Sequence, residues 1–282
     1  FLAGPRVPYR CSDMHYVIGD LQGCYDELRR LLDKLSFNDS TDRITFTGDL
    51  VNRGPKSKAA LKFVVENRHC MDTVLGNHDL HFLSMYCGVR QLGSKDTLQA
   101  LLDDDGVEAL VSWLRQQPFC IEAESRFLIS HAGLYPLWTP QEALLYSNEL
   151  SDVLQSQAWC AFLEQMYGNT PDSWNPRDTN NPRRRFLINA FTRMRFIDNR
   201  GRLDFKHKGD SIIEKNNGLI PWYDHPAPAN NTHIILFGHW SAIGAKKRDT
   251  SISLDGGCVW GGELCAVNLH NLRLTCIRGS LY

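Results

Sequence analysis

Three short blocks of this chain combine glycine with acidic, amide and imidazole side chains, and they follow one another at nearly equal intervals. The blocks are GDLQG, GDLVNRG and GNHD. Asp20, Asp49 and Asn77 are their second residues, and they are 29 and 28 positions apart. Carboxylate oxygens, amide oxygens and imidazole nitrogens all bind divalent cations. A fold that brings the blocks together would therefore create a site for a pair of divalent metal ions.

The segments around these blocks indicate the elements that would bring them together. A short apolar stretch precedes each block and predicts a strand, at His15–Ile18, Ile44–Thr47 and Thr73–Leu75. Between the strands, leucines and valines recur at helical spacing. This β-α-β-α-β order predicts three parallel strands with all three blocks at one edge of the sheet. In open α/β sheets, ligands bind at that edge.

Two further histidines are predicted at strand ends. His131 follows an apolar strand at Phe127–Ser130, and His239 follows a strand predicted at His233–Phe237. A lone histidine in such a position is usually structural. Two of them, together with three spaced blocks, favour metal binding, because imidazole nitrogens are preferred ligands of transition metals.

Composition divides the chain into a scaffold and an insertion. We expect residues 1–13 to be an added leader before Met14, and residues 14–282 to form a single domain. Residues 136–230 are rich in proline, asparagine, tryptophan and arginine and are predicted to be an insertion on that scaffold. A helix is expected in it over about Ser151–Met166.

The overall composition is that of an ordinary globular protein. Apolar residues make up 43% of the 282 residues, charged residues make up 22%, and the net charge is −1. This charge excludes bulk attraction to DNA or to an anionic membrane. No apolar run approaches the roughly 20 residues that a membrane span requires. Nine widely spread cysteines without a CxxC pair predict reduced, mostly buried thiols in a cytoplasmic protein.

The order of the motifs resembles the phosphoprotein-phosphatase-type metallophosphoesterases, which carry GDxHG, GDxVDRG, GNHE, HG and GH in this order. The match covers most of residues 15–260. The resemblance implies an α/β fold, namely a calcineurin-like β-sandwich flanked by helices. It also implies two metal ions bridged by one carboxylate. The implied ligands are Asp20 and Asp49 at the first ion, and Asp49, Asn77, His131 and His239 at the second.

The same resemblance implies roles for the remaining residues of the blocks. Arg53 is expected to bind the reacting phosphate, and His78 is expected to act as general acid near the leaving group. Asp79 replaces the glutamate of the family's GNHE motif, and we expect it to support the turn by hydrogen bonding.

Two residues depart from the family pattern. Gln22 occupies the position of a metal-binding histidine, and its amide oxygen would either ligate the first ion weakly or hydrogen-bond the bridging water. The first site would then be almost entirely oxygen and would favour Mn²⁺, with Co²⁺ and Mg²⁺ as alternatives. Asn52 occupies the position of the aspartate that orients the catalytic histidine. Its amide is expected to accept a hydrogen bond from His78, but it carries no charge. The resulting weaker acid catalysis favours a phosphoanhydride, whose leaving phosphate has a pKa of about 6, over a serine or threonine phosphate ester.

Two later motifs predict contacts with a substrate. In AFTRMRF, Arg193 and Arg195 stand two apart, and in a strand both would face one side and clamp successive phosphates. A solvated arginine pair is the alternative. This motif and LDGGCVWGG, which contains Asp255 and Trp260, resemble the bacterial symmetrical dinucleoside tetraphosphatase branch of the family. We expect Arg53, Arg193, Arg195 and Asp255 to contact the substrate, and Trp260 to stack on adenine.

The resemblance to that branch implies hydrolysis of diadenosine tetraphosphate into two ADP by a hydroxide that two metal ions activate. A protein serine/threonine phosphatase is the main alternative, and Asn52 and the arginine-rich insertion count against it. A non-catalytic relative that binds metal and nucleotide is a second alternative. Removal of dinucleoside-type caps from RNA 5′ ends would extend the leading hypothesis to a larger substrate.

Overall fold

The protein is described from a computed structural model that covers residues 14–209, 218–226, 228–230 and 232–282. The predicted leader, residues 1–13, lies outside the described residues. The strands are β1 His15–Ile18, β2 Arg43–Phe46, β3 Met71–Thr73, β4 Cys120–Ala123, β5 Phe127–Ser130, β6 Phe196–Asp198, β7 Leu203–Asp204, β8 Leu219–Pro221, β9 Ile234–Phe237, β10 Lys246–Lys247, β11 Ser251–Ser253, β12 Asp255–Gly256, β13 Glu263–Asn268 and β14 Leu274–Arg278.

The helices surround these strands. They are α1 Tyr25–Leu35, α2 Ser57–Glu66, α3 Asn77–Tyr86, α4 Gln99–Leu102, α5 Val107–Leu114, α6 Pro140–Gln155, α7 Trp159–Gln165 and α8 Asn180–Arg193. None of the described helices is long and apolar enough to span a lipid bilayer.

The three predicted parallel strands form one side of the larger sheet. β1 pairs in parallel with β2, and β2 pairs in parallel with β3. β13 flanks β1 in the antiparallel direction, and β12 and β14 pair with β13. The predicted parallel order at the start of the chain is therefore confirmed, and the carboxyl ends of β1, β2 and β3 share one edge.

The second sheet has the order β10-β11-β9-β5-β4, in which β5, β9 and β11 run parallel. Because β5 and β9 are neighbours, the histidines that follow them, His131 and His239, lie close together. The chain between β5 and β9 passes through α6, α7, α8 and a small third sheet of order β7-β6-β8.

The two larger sheets pack face to face. Val17 from β1 and Val267 from β13 share a buried cluster with Ile129 from β5 and Leu236 from β9. Ile18, the next residue after Val17, belongs to the other buried cluster, which includes the helices. This alternation follows from the two-residue period of a strand and places one face inside the sandwich and the other under helices. The predicted α/β fold, a β-sandwich flanked by helices, is confirmed.

The single helix expected over Ser151–Met166 is instead the end of α6 followed by α7. Ser156 separates the two helices because its backbone is extended, with φ −73° and ψ 172°. Its hydroxyl donates to the carbonyl of Val153 and accepts from the backbone N–H of Ala158, so it satisfies polar groups at both helix ends.

The strand expected for the two-arginine motif is also wrong. Arg193 is the last residue of α8, and the helix ends because Met194 is extended, with φ −64° and ψ 137°. Arg195 lies between this end and β6. Seven consecutive residues of α8, from 186 to 192, are buried. A helical stretch that is buried on all sides, as α8 is over residues 186 to 192, shows no amphipathic period. The spacing of the two arginines alone therefore did not predict a helix.

The prediction of reduced thiols is wrong for four cysteines. One disulfide joins Cys87, at the end of α3, to Cys160 in α7. A second joins Cys265 in β13 to Cys276 in β14. The free cysteines among the described residues are all buried: Cys24, Cys70, Cys120 and Cys258.

Candidate active site

The loops that follow the parallel strands share an unusual backbone conformation. Five of the residues that the sequence singled out have positive φ without being glycine, with values between 44° and 77°. They are Gln22, Asp49, Asn52, Arg53 and His239. Non-glycine residues adopt this conformation only where the surrounding structure imposes it, and such positions are concentrated at functional sites.

Two glycines let carboxylates approach the backbone closely. A Cβ atom on Gly76 would overlap the carboxylate of Asp49, and a Cβ atom on Gly238 would overlap that of Asp20. The glycines of the GNHD and FGHW motifs are thus required by close approach, and both acids are drawn to the same edge of the sandwich.

Asp79 organises the turn between two of the blocks. Its carboxylate accepts hydrogen bonds from the backbone N–H groups of Asp49, Leu50 and Gly76, at 2.8 to 2.9 Å. In turn, Oδ1 of Asp49 accepts from the N–H of His78 at 2.8 Å. The prediction that Asp79 supports the turn is confirmed, and Oδ2 of Asp49 remains directed toward the histidines.

His131 directs a nitrogen lone pair at two oxygen atoms. Its Nδ1–H donates to the carbonyl of Thr47 at 2.7 Å, which leaves Nε2 unprotonated in the neutral ring. Burial lowers the pKa of His131, so the neutral ring is the stable form. Nε2 lies 3.2 Å from Oδ1 of Asn77 and 3.4 Å from Oδ2 of Asp49. A bound cation would hold the amide oxygen of Asn77 toward Nε2, whereas the reversed amide would donate its N–H to Nε2 at the same distance.

Asn77 directs the same amide oxygen at further acceptors. That oxygen lies 3.0 Å from Nδ1 of His239 and 3.0 Å from the carbonyl oxygen of Thr192. Reversing the amide would let its nitrogen donate to these atoms, whereas metal binding requires the oxygen to face them. Burial lowers the pKa of His239 well below its ordinary value, and its Nε2 has no partner among the described residues. The side chains fit a divalent cation with mixed oxygen and nitrogen ligands.

A group of buried carboxylates lies on the other side of Asp49. Asp20 is fully buried and accepts from the N–H of His239 at 3.0 Å. Burial, together with the neighbouring Asp255 and Asp49, raises the pKa of Asp20 well above its ordinary range. Asp20, Asp49 and His131 offer ligand atoms within 4.8 Å of one another. Several anions held out of water repel each other, and a second divalent cation would relieve that repulsion.

Asp255, expected at the substrate, lies beside Asp20 in this group. Burial raises its pKa to about 6, and its neighbours include Asp49 and the cationic Arg195. Gln22 belongs to the first block, in the loop that follows β1, where its backbone N–H donates to the carbonyl of Asp49 at 2.7 Å. No contact of its side chain with the carboxylates is described, and its role as a metal ligand stays a prediction.

Asn52 faces His78, but with the opposite polarity to that expected. The amide oxygen of Asn52 accepts from the backbone N–H groups of Arg53 at 2.8 Å and Thr97 at 3.1 Å. The amide nitrogen therefore faces Nδ1 of His78 at 3.2 Å and donates to Asp96 at 2.9 Å. The expectation that Asn52 accepts from His78 is wrong. With Nδ1 as acceptor, the proton of the neutral His78 ring is on Nε2.

Asp96 joins this network and was not found from the sequence. Besides Asn52, it accepts from Nε2 of His81 at 3.1 Å and lies 3.4 Å from Nη1 of Arg53. Burial opposes ionisation of Asp96, but hydrogen bonds from Asn52, Gly93 and His81 outweigh it and hold the pKa at about 2. Asp96 lies in a polar stretch without regular structure, so no periodic pattern or motif marked it.

A cavity of about 490 Å³ opens beside the metal ligands. Asn77, His78 and His239 belong to its wall. It has five basic residues and no aspartate or glutamate among the described residues that line it. The basic residues are Arg53, Arg90, Arg193, Arg195 and Lys208. A cavity with this charge attracts anions with several negative groups.

The two arginines of the AFTRMRF motif both reach this cavity, although they do so from a helix end and not from a strand. Arg195 donates to the carbonyl of His239 at 3.2 Å, and burial lowers its pKa to about 10, which leaves it cationic at neutral pH. Arg193 donates to the side-chain oxygens of Asn169 and Asn189, both at 2.9 Å. Both partners are neutral amides, so they do not neutralise the positive charge of Arg193.

Trp260 lies elsewhere. Its side chain is 62% exposed, its backbone pairs with Leu281, and it is not among the residues that line the cavity. Stacking of Trp260 on adenine has no contact to support it and stays a prediction.

Comparisons with known proteins agree with this geometry. The profile of the calcineurin-like phosphoesterase family matches residues 15–240. A protein of Neisseria gonorrhoeae named bis(5′-nucleosyl)-tetraphosphatase, symmetrical, is 41% identical over 266 residues, which cover 94% of this chain and 96% of that protein. A protein of Nitrosospira multiformis with the same name is 42% identical over 259 residues, covering 92% and 94%.

Solved structures show the same fold. The crystal structure of a proposed diadenosine tetraphosphatase superposes with a TM-score of 0.63 at 22% identity, covering 97% of this chain and 96% of that one. A serine/threonine phosphatase from Saccharomyces cerevisiae superposes with a TM-score of 0.53 at 14% identity, covering 95% and 80%. At these identities the likeness concerns the fold alone.

Proposed function

The chain belongs to the calcineurin-like phosphoesterase family, and from this premise we propose that it hydrolyses diadenosine tetraphosphate symmetrically to two ADP. The shared name of the two relatives supports this substrate. The comparison covers more than nine-tenths of the length of each relative.

The observation that carries the proposal is the charge of the cavity. Among the residues that the structure describes, five basic side chains and no carboxylate line it, directly beside the candidate metal ligands. A phosphorylated serine or threonine brings a single phosphate, which a metal pair and one arginine can bind. A tetraphosphate chain brings negative charge on both sides of the bond that breaks, and it matches a cavity whose cations extend from Arg53 to Arg193 and Lys208.

The family implies divalent metal ions, and the side chains fit them. Asp20 and Asp49 would hold the first ion, while Asp49, Asn77, His131 and His239 would hold the second. When bound, such a pair supplies Lewis-acid polarisation of the phosphoryl group and lowers the pKa of water toward neutrality. The oxygen-rich first site supports Mn²⁺ as the ion, with Co²⁺ and Mg²⁺ as alternatives.

The chain's own residues bind and orient the phosphates. Arg53 is held by the carbonyl of Lys95 at 2.8 Å and by Asp96, so its guanidinium is positioned at the wall of the cavity. Arg195 lies next to the buried carboxylates and reaches the same wall. Two fixed guanidinium groups provide donors for the charge that develops on the phosphoryl oxygens during transfer.

His78 is set to donate a hydrogen bond from Nε2. Because Asn52 donates to Nδ1, the second ring nitrogen is occupied as an acceptor, and an imidazolium with a proton on both nitrogens is disfavoured. A neutral imidazole is a poor general acid for an alkoxide, but a leaving ADP needs little protonation, since its phosphate has a pKa of about 6. The Asn52–His78 pair therefore supports a phosphoanhydride substrate over a phosphate ester.

Product analysis tests the proposal. The manganese-loaded protein is incubated with diadenosine tetraphosphate, and AMP, ADP and ATP are separated by anion exchange. We expect ADP alone. AMP together with ATP would refute symmetrical cleavage, and hydrolysis of a phosphopeptide without any nucleotide product would transfer the assignment to protein phosphatases.

A further inference from the structure

Two aromatic residues that the sequence did not single out line the cavity. Tyr167 follows α7, and the guanidinium carbon of Arg90 lies 3.9 Å from the centre of its ring. Phe205 follows β7, and the guanidinium carbon of Arg193 lies 4.6 Å from the centre of its ring. A guanidinium over an aromatic ring forms a flat cationic surface, on which a nucleobase can stack.

Tyr167 also carries a polar atom without a partner. Its hydroxyl is buried and makes no hydrogen bond to the residues that the structure describes. Buried polar atoms are nearly always paired, so a ligand whose binding turns the Tyr167 side chain would let this hydroxyl gain a partner. A ring nitrogen or amino group of a purine offers such a partner.

The cavity also has apolar walls that differ chemically from the candidate metal centre. Leu80, Met166 and Ile188 are buried apolar residues that line the same cavity. Phosphate gains nothing from these side chains. Apolar walls with a few placed polar groups are typical of sites for flat organic ligands.

One helix end connects the aromatic residues with the metal centre. The carbonyl of Thr192 faces the amide of Asn77 at 3.0 Å. The next residue, Arg193, donates to the carbonyl of Gly168 at 3.3 Å and to Asn169 at 2.9 Å. The segment that carries Tyr167 is therefore tied to the helix that borders the candidate metal ligands, and its position relative to them is fixed.

We propose that Tyr167 and Arg90 form a platform that binds one purine base of the substrate. This inference rests on the proposed function, because it assigns one nucleoside of that substrate to the cavity. It places the base on the α3–α7 side of the cavity, with the phosphates extending past Arg193 toward Asn77 and His239.

Calorimetric titration with ADP and with pyrophosphate tests the platform, because pyrophosphate shares the two phosphates but lacks the nucleoside. On the manganese-loaded protein, Tyr167→Leu is expected to raise the Kd of ADP about tenfold, because the base loses one stacking partner. The Kd of pyrophosphate is expected to stay within about twofold of the original value. Tyr167→Phe keeps the ring and is expected to lose only about threefold for ADP, through the hydroxyl.

Tyr86→Leu is the matched control. Tyr86 is an exposed tyrosine on α3 that stacks on Trp159 outside the cavity, so both dissociation constants should stay unchanged. An unchanged Kd of ADP in Tyr167→Leu would overturn the proposal, and so would equal weakening of ADP and pyrophosphate. Weakening in Trp260→Leu but not in Tyr167→Leu would place the base at Trp260 instead. If the protein yields no ADP from diadenosine tetraphosphate while Tyr167 still distinguishes ADP from pyrophosphate, the proposed function fails and the platform stands.

Discussion

The candidate metal centre and the cavity beside it have opposite chemical character. The candidate metal centre gathers the buried carboxylates of Asp20, Asp49 and Asp255, and burial together with their mutual repulsion raises the pKa of Asp20 and Asp255. The cavity gathers cations, and no carboxylate is among its described lining residues. The first region attracts metal ions and the second attracts polyanions, so a polyphosphate bound across both is neutralised along its length.

The two regions also differ in how they are built. The metal ligands follow strand ends of the two packed sheets, where a shift of one side chain would disturb the sandwich core. The cavity takes Arg90, Tyr167 and Arg193 from segments that follow or end helices. We infer that the scaffold fixes the chemistry, while the segments outside it determine which phosphate compound is bound. Five substitutions test this division.

Asp49→Asn should have the largest effect. Asp49 is shared by both halves of the metal centre, and we expect turnover to fall more than about 10³-fold. Because the substitution removes one of several repelling buried anions, the melting temperature in EDTA should rise. The exposed Asp33→Asn serves as control for both measurements. Turnover close to that of the original protein would show that the carboxylates are not the metal centre.

Arg195→Ala should have the second largest effect. We expect it to lower kcat/KM for diadenosine tetraphosphate about 10²-fold, because it removes a largely buried cation beside the proposed position of the reacting phosphate. Arg193→Ala should cost less, about tenfold, because Arg193 is tied to neutral amides farther along the cavity. A larger loss for Arg193→Ala than for Arg195→Ala would contradict the order of the two arginines relative to the metal centre.

Asn52→Asp should change the preference between substrates. An aspartate would accept a hydrogen bond from Nδ1 of His78 and stabilise the imidazolium, which makes His78 a better acid. We expect the ratio of kcat/KM for a phosphopeptide to that for diadenosine tetraphosphate to rise about tenfold. The exposed Asp33→Asn should leave this ratio unchanged. Equal changes for both substrates in Asn52→Asp would remove the argument from the leaving group.

Asp255→Asn should have the smallest effect. We expect it to change the stability of the metal-free protein. Burial raises the pKa of Asp255 to about 6, above its value of 3.8 in the unfolded chain, so the folded protein favours the protonated form. Its contribution to stability is present below 3.8 and is lost as the pH rises to about 6. In denaturant unfolding in EDTA, the free energy of unfolding of the variant should therefore increase relative to that of the original protein over this pH range. Above the range, the difference between the two should stay constant. A difference independent of pH would contradict the assignment.

The proximity of the candidate metal ligands was easier to predict from the sequence than the lining of the cavity, and the reason is physical. Asp20, Asp49 and Asn77 lie in short glycine-containing blocks directly after strands, so local pattern and sheet topology suffice to bring them together. Arg90 and Tyr167 come from separate segments that meet only through helix packing. No local sequence pattern predicts that these two residues contact each other.

Orientation is harder to predict than proximity. The contact between Asn52 and His78 was expected, but its polarity depends on the backbone N–H of Thr97, which is distant in sequence and holds the amide oxygen. The arginine spacing was interpreted as it would act in a strand, because residues 186 to 192 of α8 are all buried and show no helical period. In both cases tertiary contacts decided what the local sequence left open.

The most direct test of the central claim is the ratio of kcat/KM for diadenosine tetraphosphate to that for a serine phosphopeptide, measured on one manganese-loaded preparation. A cation-lined cavity beside a neutral His78 predicts a preference for the dinucleotide of at least about 100-fold. Equal values, or a preference for the phosphopeptide, would contradict the claim that the cavity selects a polyphosphate.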